Sequence, residues 1–184
     1  MTNFSIYSLE TAPPRAEQTA QNVAKKYGSI PNLVGALLEA PEVAQAYVDL
    51  GDALKNSAFS AKERHVVWFT INRLHDCRYC MAAHTTMAKG EKIDAAVIEA
   101  ARGDEDYPNE RLNLLKEFTT KMVMNRGWVE PIEVQEFVEA GFSNRHVLDI
   151  VLAISHKVIS NYTNHLVETP LDDRFSANRW SPPE

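Results

Sequence analysis

Cysteine is scarce, with two residues in 184, and basic side chains are outnumbered, 19 Lys and Arg against 25 Asp and Glu. The net charge of -6, with the cations scattered among acids, argues against a phosphate-binding surface and so against a nucleic-acid partner. No uncharged apolar run reaches the ~18 residues needed to span a bilayer, so no membrane association is expected. The start, Met1-Thr2-Asn3-Phe4-Ser5, lacks the basic region and apolar stretch of a signal peptide. A cytoplasmic setting follows as the expectation. There, two closely spaced cysteines point to catalysis or metal binding rather than to a structural staple. Convincing strand alternation is also missing, which leaves an all-α chain.

Helical punctuation is abundant. Ala16 to Tyr27 is followed by Gly28, a helix begins near Pro31, and Pro41 opens another carrying Val43, Ala46, Tyr47, Leu50 and Leu54. Ser60-Ala61-Lys62-Glu63 is a capping-box pattern before an apolar helix that runs to Leu74. Asp76 reads as the N-cap of the next helix, which stops at Gly90. Further starts are expected at Asp94, Asn109 and Pro131, with stops at Gly103, Gly127 and Gly141, and Ser143 caps the last long helix. Eight or nine helices in a single domain over residues 1–184 result. The tails, Phe4 to Pro14 and Arg174 to Glu184, carry prolines and isolated aromatics without a helical period. They are either surface segments, for instance on a neighbouring subunit, or frayed ends.

A shift of 83 residues superimposes Phe59-Ser60 on Phe142-Ser143, Ile71 on Ile154 and Tyr79 on Tyr162, and it sets Cys77 and Cys80 on Ser160 and Thr163. Duplication with loss of the thiols from one copy fits this echo, the motif core lying at about 60–90 and a degenerate second unit at about 142–168.

Both cysteines sit in Cys77-Arg78-Tyr79-Cys80, and His84 lies one helical turn further on. At a helix start, free N–H groups and the macrodipole stabilise an anion, and the thiolate is the reactive form of cysteine. Helix geometry brings the two Cα atoms to roughly 5 Å, inside the range a disulfide accepts. One thiolate can attack while the other resolves, and His84 can carry protons near neutral pH. A metal role is the weaker reading, since Cys-x2-Cys-x3-His offers three ligands where a closed zinc site takes four. No metal and no cofactor is therefore expected. Glu63 is explained by the capping box, yet its carboxylate opens the helix before the cysteines and could also serve the site. His65 is either a satisfied half-buried histidine or a catalytic one. Tyr79 is either a packing residue or a hydrogen-bond donor to an oxidised intermediate. His75, His146, His156 and His165 have no spacing that favours a role.

Glu63-Arg64-His65-Val66-Val67 followed by Cys77-x-Tyr79-Cys80-x-x-x-His84 resembles the carboxymuconolactone decarboxylase superfamily, in particular its alkyl hydroperoxide reductase D (AhpD)-like branch. A weaker likeness runs from Pro31 to Pro170 and includes Asn161-Tyr162-Thr163-Asn164-His165. The resemblance implies an AhpD-like orthogonal helical bundle, sometimes built from two copies of one unit, assembled as a homotrimer or homohexamer. It also implies a thiol peroxidase that takes a hydroperoxide substrate and an external dithiol reductant. Carried over, Cys80 is peroxidatic, Cys77 resolves and His84 belongs to a proton relay. Two positions depart from the best-characterised branch. Its relay glutamate lies twelve residues before the first cysteine, where this chain has His65 and the nearest carboxylate is Glu63. Its histidine before the second cysteine is Tyr79 here. A decarboxylase-type enzyme and a redox-responsive interaction protein switched by a Cys77-Cys80 disulfide are the alternatives.

Overall fold

The computed structural model describes residues 4–183. Met1-Thr2-Asn3 and Glu184 lie outside the described residues, as do the parts of the leader and tail expectations that fall on them. The order is a 3-10 turn Pro14–Ala16, then α1 Glu17–Tyr27, α2 Asn32–Leu37, α3 Pro41–Lys55, α4 Ala61–Leu74, α5 Arg78–Gly90, α6 Ala95–Gly103, α7 Glu110–Met124, α8 Pro131–Glu139, α9 Asn144–Val167 and a final 3-10 turn Asp173–Asn178. Among the described residues the fold is all-α. Among the described residues no helix is long and apolar enough to cross a membrane.

Local chemistry explains the boundaries. Ser60 accepts from the Glu63 N–H while the Glu63 carboxylate accepts from the Ser60 N–H, a reciprocal cap worth about 1 kcal/mol. Ser143 and His146 form the corresponding pair at α9. Several expected stops move by a residue or more. Gly90 and Gly103 are still helical, the left-handed positions there falling on Lys92 (φ 57°) and Asp104 (φ 67°), whereas Gly127 (φ 84°) and Gly141 (φ 95°) are left-handed just after α7 and α8.

The same substitution of roles corrects Asp76. It is not the N-cap of α5; it is the left-handed residue (φ 50°) that ends α4, with its N–H on Arg73 O and the Cys77 N–H on Asn72 O, both at 2.8 Å. This pair of reversed bonds is a Schellman ending, and aspartate tolerates the left-handed region better than most side chains. Cys77 is thereby delivered as the N-cap of α5, and Cys80 falls at its third position.

Two apolar clusters organise the packing. One joins α4, α6, α7, α8 and the first half of α9, with Phe118, Phe137 and Phe142 stacked at centroid spacings of 4.1 Å. The other gathers α1, α2, α3 and the start of α5, and it contains Cys77, Tyr79 and Cys80. The tails pack on their own chain. The N-terminal strap bonds Tyr7 N–H to Gly35 O, and a Cβ at position 35 would stand 2.6 Å from Tyr7 O, so only glycine admits the strap. Phe175 and Trp180 are buried, the Trp180 indole donating to Arg102 O. Phe175 and Trp180 are thus covered within the chain, by α5 and α6, while Phe4 is exposed.

Candidate active site

Cys77 and Cys80 are both buried free thiols at the start of α5. Their surroundings come largely from α9, which runs antiparallel to α5 and offers Lys157, Ser160, Asn161 and Asn164 on one face at three- and four-residue spacing. Asn164 Nδ2 donates to Cys80 Sγ at 3.3 Å, and lies 3.6 Å from Cys77 Sγ. Asn161 ties the turn together, accepting from the His75 ring at 2.9 Å and donating to Asn72 Oδ1 at 3.0 Å.

The two thiols are held in opposite states. Cys77 gives its S–H to Cys80, and this bond, with burial, pushes its thiol far up. Burial acts upward on Cys80 as well, but the Cys77 hydrogen bond, the Lys157 charge and hydrogen bonds from Ser160 and Asn161 outweigh it and bring the thiol down to about 5. The surroundings therefore favour the thiolate at Cys80 and the thiol at Cys77.

A cavity of about 230 Å³ opens onto Cys80, with His84, Trp68, Tyr79 and His156 in its wall; Cys77 does not line it. His84 accepts from Lys157 Nζ at 2.9 Å through Nε2. An ammonium only donates, so the ring proton sits on Nδ1, which has no hydrogen-bond partner. Burial, then the Lys157 charge, hold the His84 ring well below its ordinary pKa, and burial does the same to His156, which stacks on Tyr47 at 4.4 Å. Gly51 makes room for that ring, since a Cβ there would stand 3.3 Å from His156 Nε2. Tyr79 donates to Asp172 at 2.6 Å, and burial with this bond raises its phenol. A larger cleft of about 470 Å³ lies among α4, α6 and α7 and holds the ion pairs of Asp104 with Arg73 and Lys116, with no thiol in its wall.

The residues expected from sequence separate into two groups. Cys77, Cys80 and His84 come together. His65 is fully buried behind His84, ring centroids 6.4 Å apart, with its Nε2 3.3 Å from Glu91. Burial lowers its pKa and Glu91 partly opposes this. Glu63 stays with its capping box and takes Arg111 Nε at 2.8 Å; burial pushes its carboxyl up, and the Ser60 and Arg111 hydrogen bonds hold it below the ordinary value. It does not line the cavity. Lys157, Asn164 and His156 were not anticipated. Their signal was a polar stripe of lysine, serine and asparagine on a helix face, legible only once that face is known to be buried. Among the described residues no cluster of three or more His, Cys, Asp or Glu is arranged to hold a metal ion.

Residues 41–110, from α3 to the start of α7, match the carboxymuconolactone decarboxylase family. Curated protein sequences give no match. Among solved structures, the alkylhydroperoxidase AhpD core of an uncharacterized peroxidase-related protein from Ralstonia eutropha JMP134 superimposes with a TM-score of 0.79 at 21% identity, over 95% of this chain and 96% of that one. An uncharacterized peroxidase-related protein from Silicibacter sp. TM1040 gives 0.76 at 18% identity over 95% and 96%. The debrominase Bmp8, solved with 2,3,4-tribromopyrrole, gives 0.77 at 15% identity over 97% and 96%. The central part of the chain thus matches the carboxymuconolactone decarboxylase family, and the AhpD-like fold extends along nearly its whole length.

Proposed function

We propose that the protein is a thiol-dependent peroxidase that reduces hydroperoxides through Cys80 and Cys77 in a cytoplasmic setting. The observation that carries this reading is the asymmetry of the pair: the sulfur at the cavity is the one whose thiol is lowered, and the covered one keeps its proton. The Cys80 thiolate attacks the terminal oxygen of the peroxide, the O–O bond breaks, a sulfenic acid forms and an alkoxide leaves to be protonated. Cys77 then displaces hydroxide from that sulfur, its own proton completing a water molecule, and an external dithiol reduces the disulfide. His84 stands at the cavity as the proton carrier. Glu63, paired with Arg111, is assigned to stability, and His65 to support of His84.

Peroxide consumption with a dithiol reductant tests the reading. Cys77→Ser should stop at a trappable sulfenic acid and Cys80→Ser should not react; retained turnover in Cys80→Ser would overturn it. The aromatic wall of the cavity favours one second reading, reductive removal of halogen from a flat ring. There the Cys80 thiolate takes the halogen, the ring carbon takes a proton, and Cys77 expels halide to form the disulfide. Halide release without peroxide turnover would select it.

Assembly as a trimer or hexamer belongs to the same proposal, and its support is an exposed apolar stripe on α9, Leu148, Val151, Tyr162 and Leu166, suited to a second copy of the chain. A monomer by light scattering would remove it.

A further inference from the structure

We propose that Lys157 is the buried counter-ion of the Cys80 thiolate and, through His84, the source of the proton taken by the leaving alkoxide. The inference rests on the peroxidase reading for its second half only. Lys157 is fully buried, its ammonium donates to His84 Nε2 at 2.9 Å, and among the described residues it forms no ion pair with a carboxylate. An ammonium with no anion beside it is strongly disfavoured in such a place, so Lys157 keeps its charge only where a negative charge stands nearby.

The neighbouring elements offer few anions. The segment α2 has no titratable residue, and the carboxylates of α3 are exposed or held by Lys26, Lys55 and Gln45. From α4 comes His65, whose acid is Glu91, an acid that Arg64 also holds. Lys116, Lys121 and Arg111 of α7 are paired with Asp104, Glu133 and Glu63, while Glu110 and Glu117 of the same helix are exposed. Tyr47 and Tyr79 face the thiols as neutral phenols, and Asp172 is held by Tyr79. What is left is the cysteine pair. On α9, Lys157 stands two turns before Asn164, which touches Cys80; on α5, His84 stands one turn after Cys80. The antiparallel helices therefore close the three groups into one corner. The Lys157 charge is among the causes that lower the Cys80 thiol.

The arrangement keeps the corner neutral through the whole cycle. Before reaction the ammonium balances the thiolate. When Cys80 takes the terminal oxygen, the alkoxide accepts the proton of His84 Nδ1, and Nε2 is refilled from Lys157. The lysine becomes neutral as the sulfur loses its charge, and Cys77 with the sulfenic acid then yields disulfide and water. Atoms and charge balance without an ion stranded in the interior.

The test is the pH profile of iodoacetamide alkylation of Cys80 in the reduced full-length protein, with melting temperature and cumene hydroperoxide kinetics recorded alongside. Lys157→Met matches the stem and removes the charge; Lys157→Gln keeps a polar head and serves if the first variant folds poorly. In either, the alkylation midpoint should rise by at least about one pH unit, a tenfold loss of thiolate at a pH well below both midpoints, and peroxide reduction at neutral pH should fall about tenfold or more. The melting temperature should not fall, because a buried charge has been exchanged for a group the interior accepts. An unmoved midpoint in a folded variant would overturn the proposal. A raised midpoint in a protein whose wild type consumes no peroxide would keep the ion pair and overturn the peroxidase reading with its proton delivery.

Discussion

Two stretches of this chain begin alike and end differently. Both open on Phe-Ser and a reciprocal cap, Ser60 with Glu63 and Ser143 with His146. The first breaks after 14 residues, at the left-handed Asp76, and restarts at Cys77; the second continues unbroken as the 24-residue α9. The break creates a second helix start, with free N–H groups just where the thiols stand. The unbroken helix has no such donors at Ser160 and Thr163, because their N–H groups are spent within α9. It supplies side chains instead. One stretch holds the sulfur and the other the groups that charge it, so the echo in sequence corresponds to a division of labour in space.

The largest expected effect comes from cutting the link between the two stretches. Asn164→Leu keeps the approximate shape but removes the donor to both sulfurs, and loss of a hydrogen bond to a charged group, about 1.5–3 kcal/mol, should raise the Cys80 alkylation midpoint by about one to two pH units and slow alkylation tenfold or more at a pH well below both midpoints. An unchanged rate would mean that helix-start activation suffices by itself.

The comparison can also be broken from the other side. In a protein carrying Cys77→Ser and Cys80→Ser, Thr163→Cys sets a thiol at the equivalent place on the unbroken helix. Its alkylation midpoint should stay near the ordinary ~8.5, since no free N–H groups point at it. A midpoint depressed toward that of Cys80 would show that position on α9 matters and the break does not.

Acid should expose the histidines of this corner. His84, His156 and His65 are held below their ordinary value by burial, so below about pH 6.5 the unfolded chain binds protons that the folded one refuses. Their stability contribution is complete above that pH and declines as pH falls through it. Melting temperature should drop steadily below about pH 6.5, and His156→Gln should flatten the drop.

The smallest effect belongs to the cap. Glu63 is held in the opposite sense from the histidines of the corner only in chemistry, not in sign: its lowered carboxyl contributes stability above about pH 4.3 that is lost in stronger acid. Glu63→Gln should cost on the order of 1 kcal/mol, because Arg111 is partly exposed and screened, and leave the alkylation profile intact. Slower peroxide reduction at unchanged melting temperature would instead return Glu63 to the proton path.

The all-α class, most helix starts and the pairing of the two cysteines at one helix start were determined by the sequence alone, because caps, prolines and the Cys77-x-x-Cys80 spacing act over a few residues. Boundaries failed where two local options competed. Asp76 can cap a helix start or take a left-handed ending, and the Schellman bonds to Asn72 and Arg73 decided for the ending. Only the tertiary structure decided which sulfur faces the cavity, that Glu63 turns to Arg111, that Phe175 and Trp180 are covered by their own chain, and that Lys157 and Asn164 stand beside His84 and the cysteines. These are contacts across 48 to 87 residues of sequence. No periodicity records such a contact, since the burial that makes a lysine or an asparagine consequential is created by another helix.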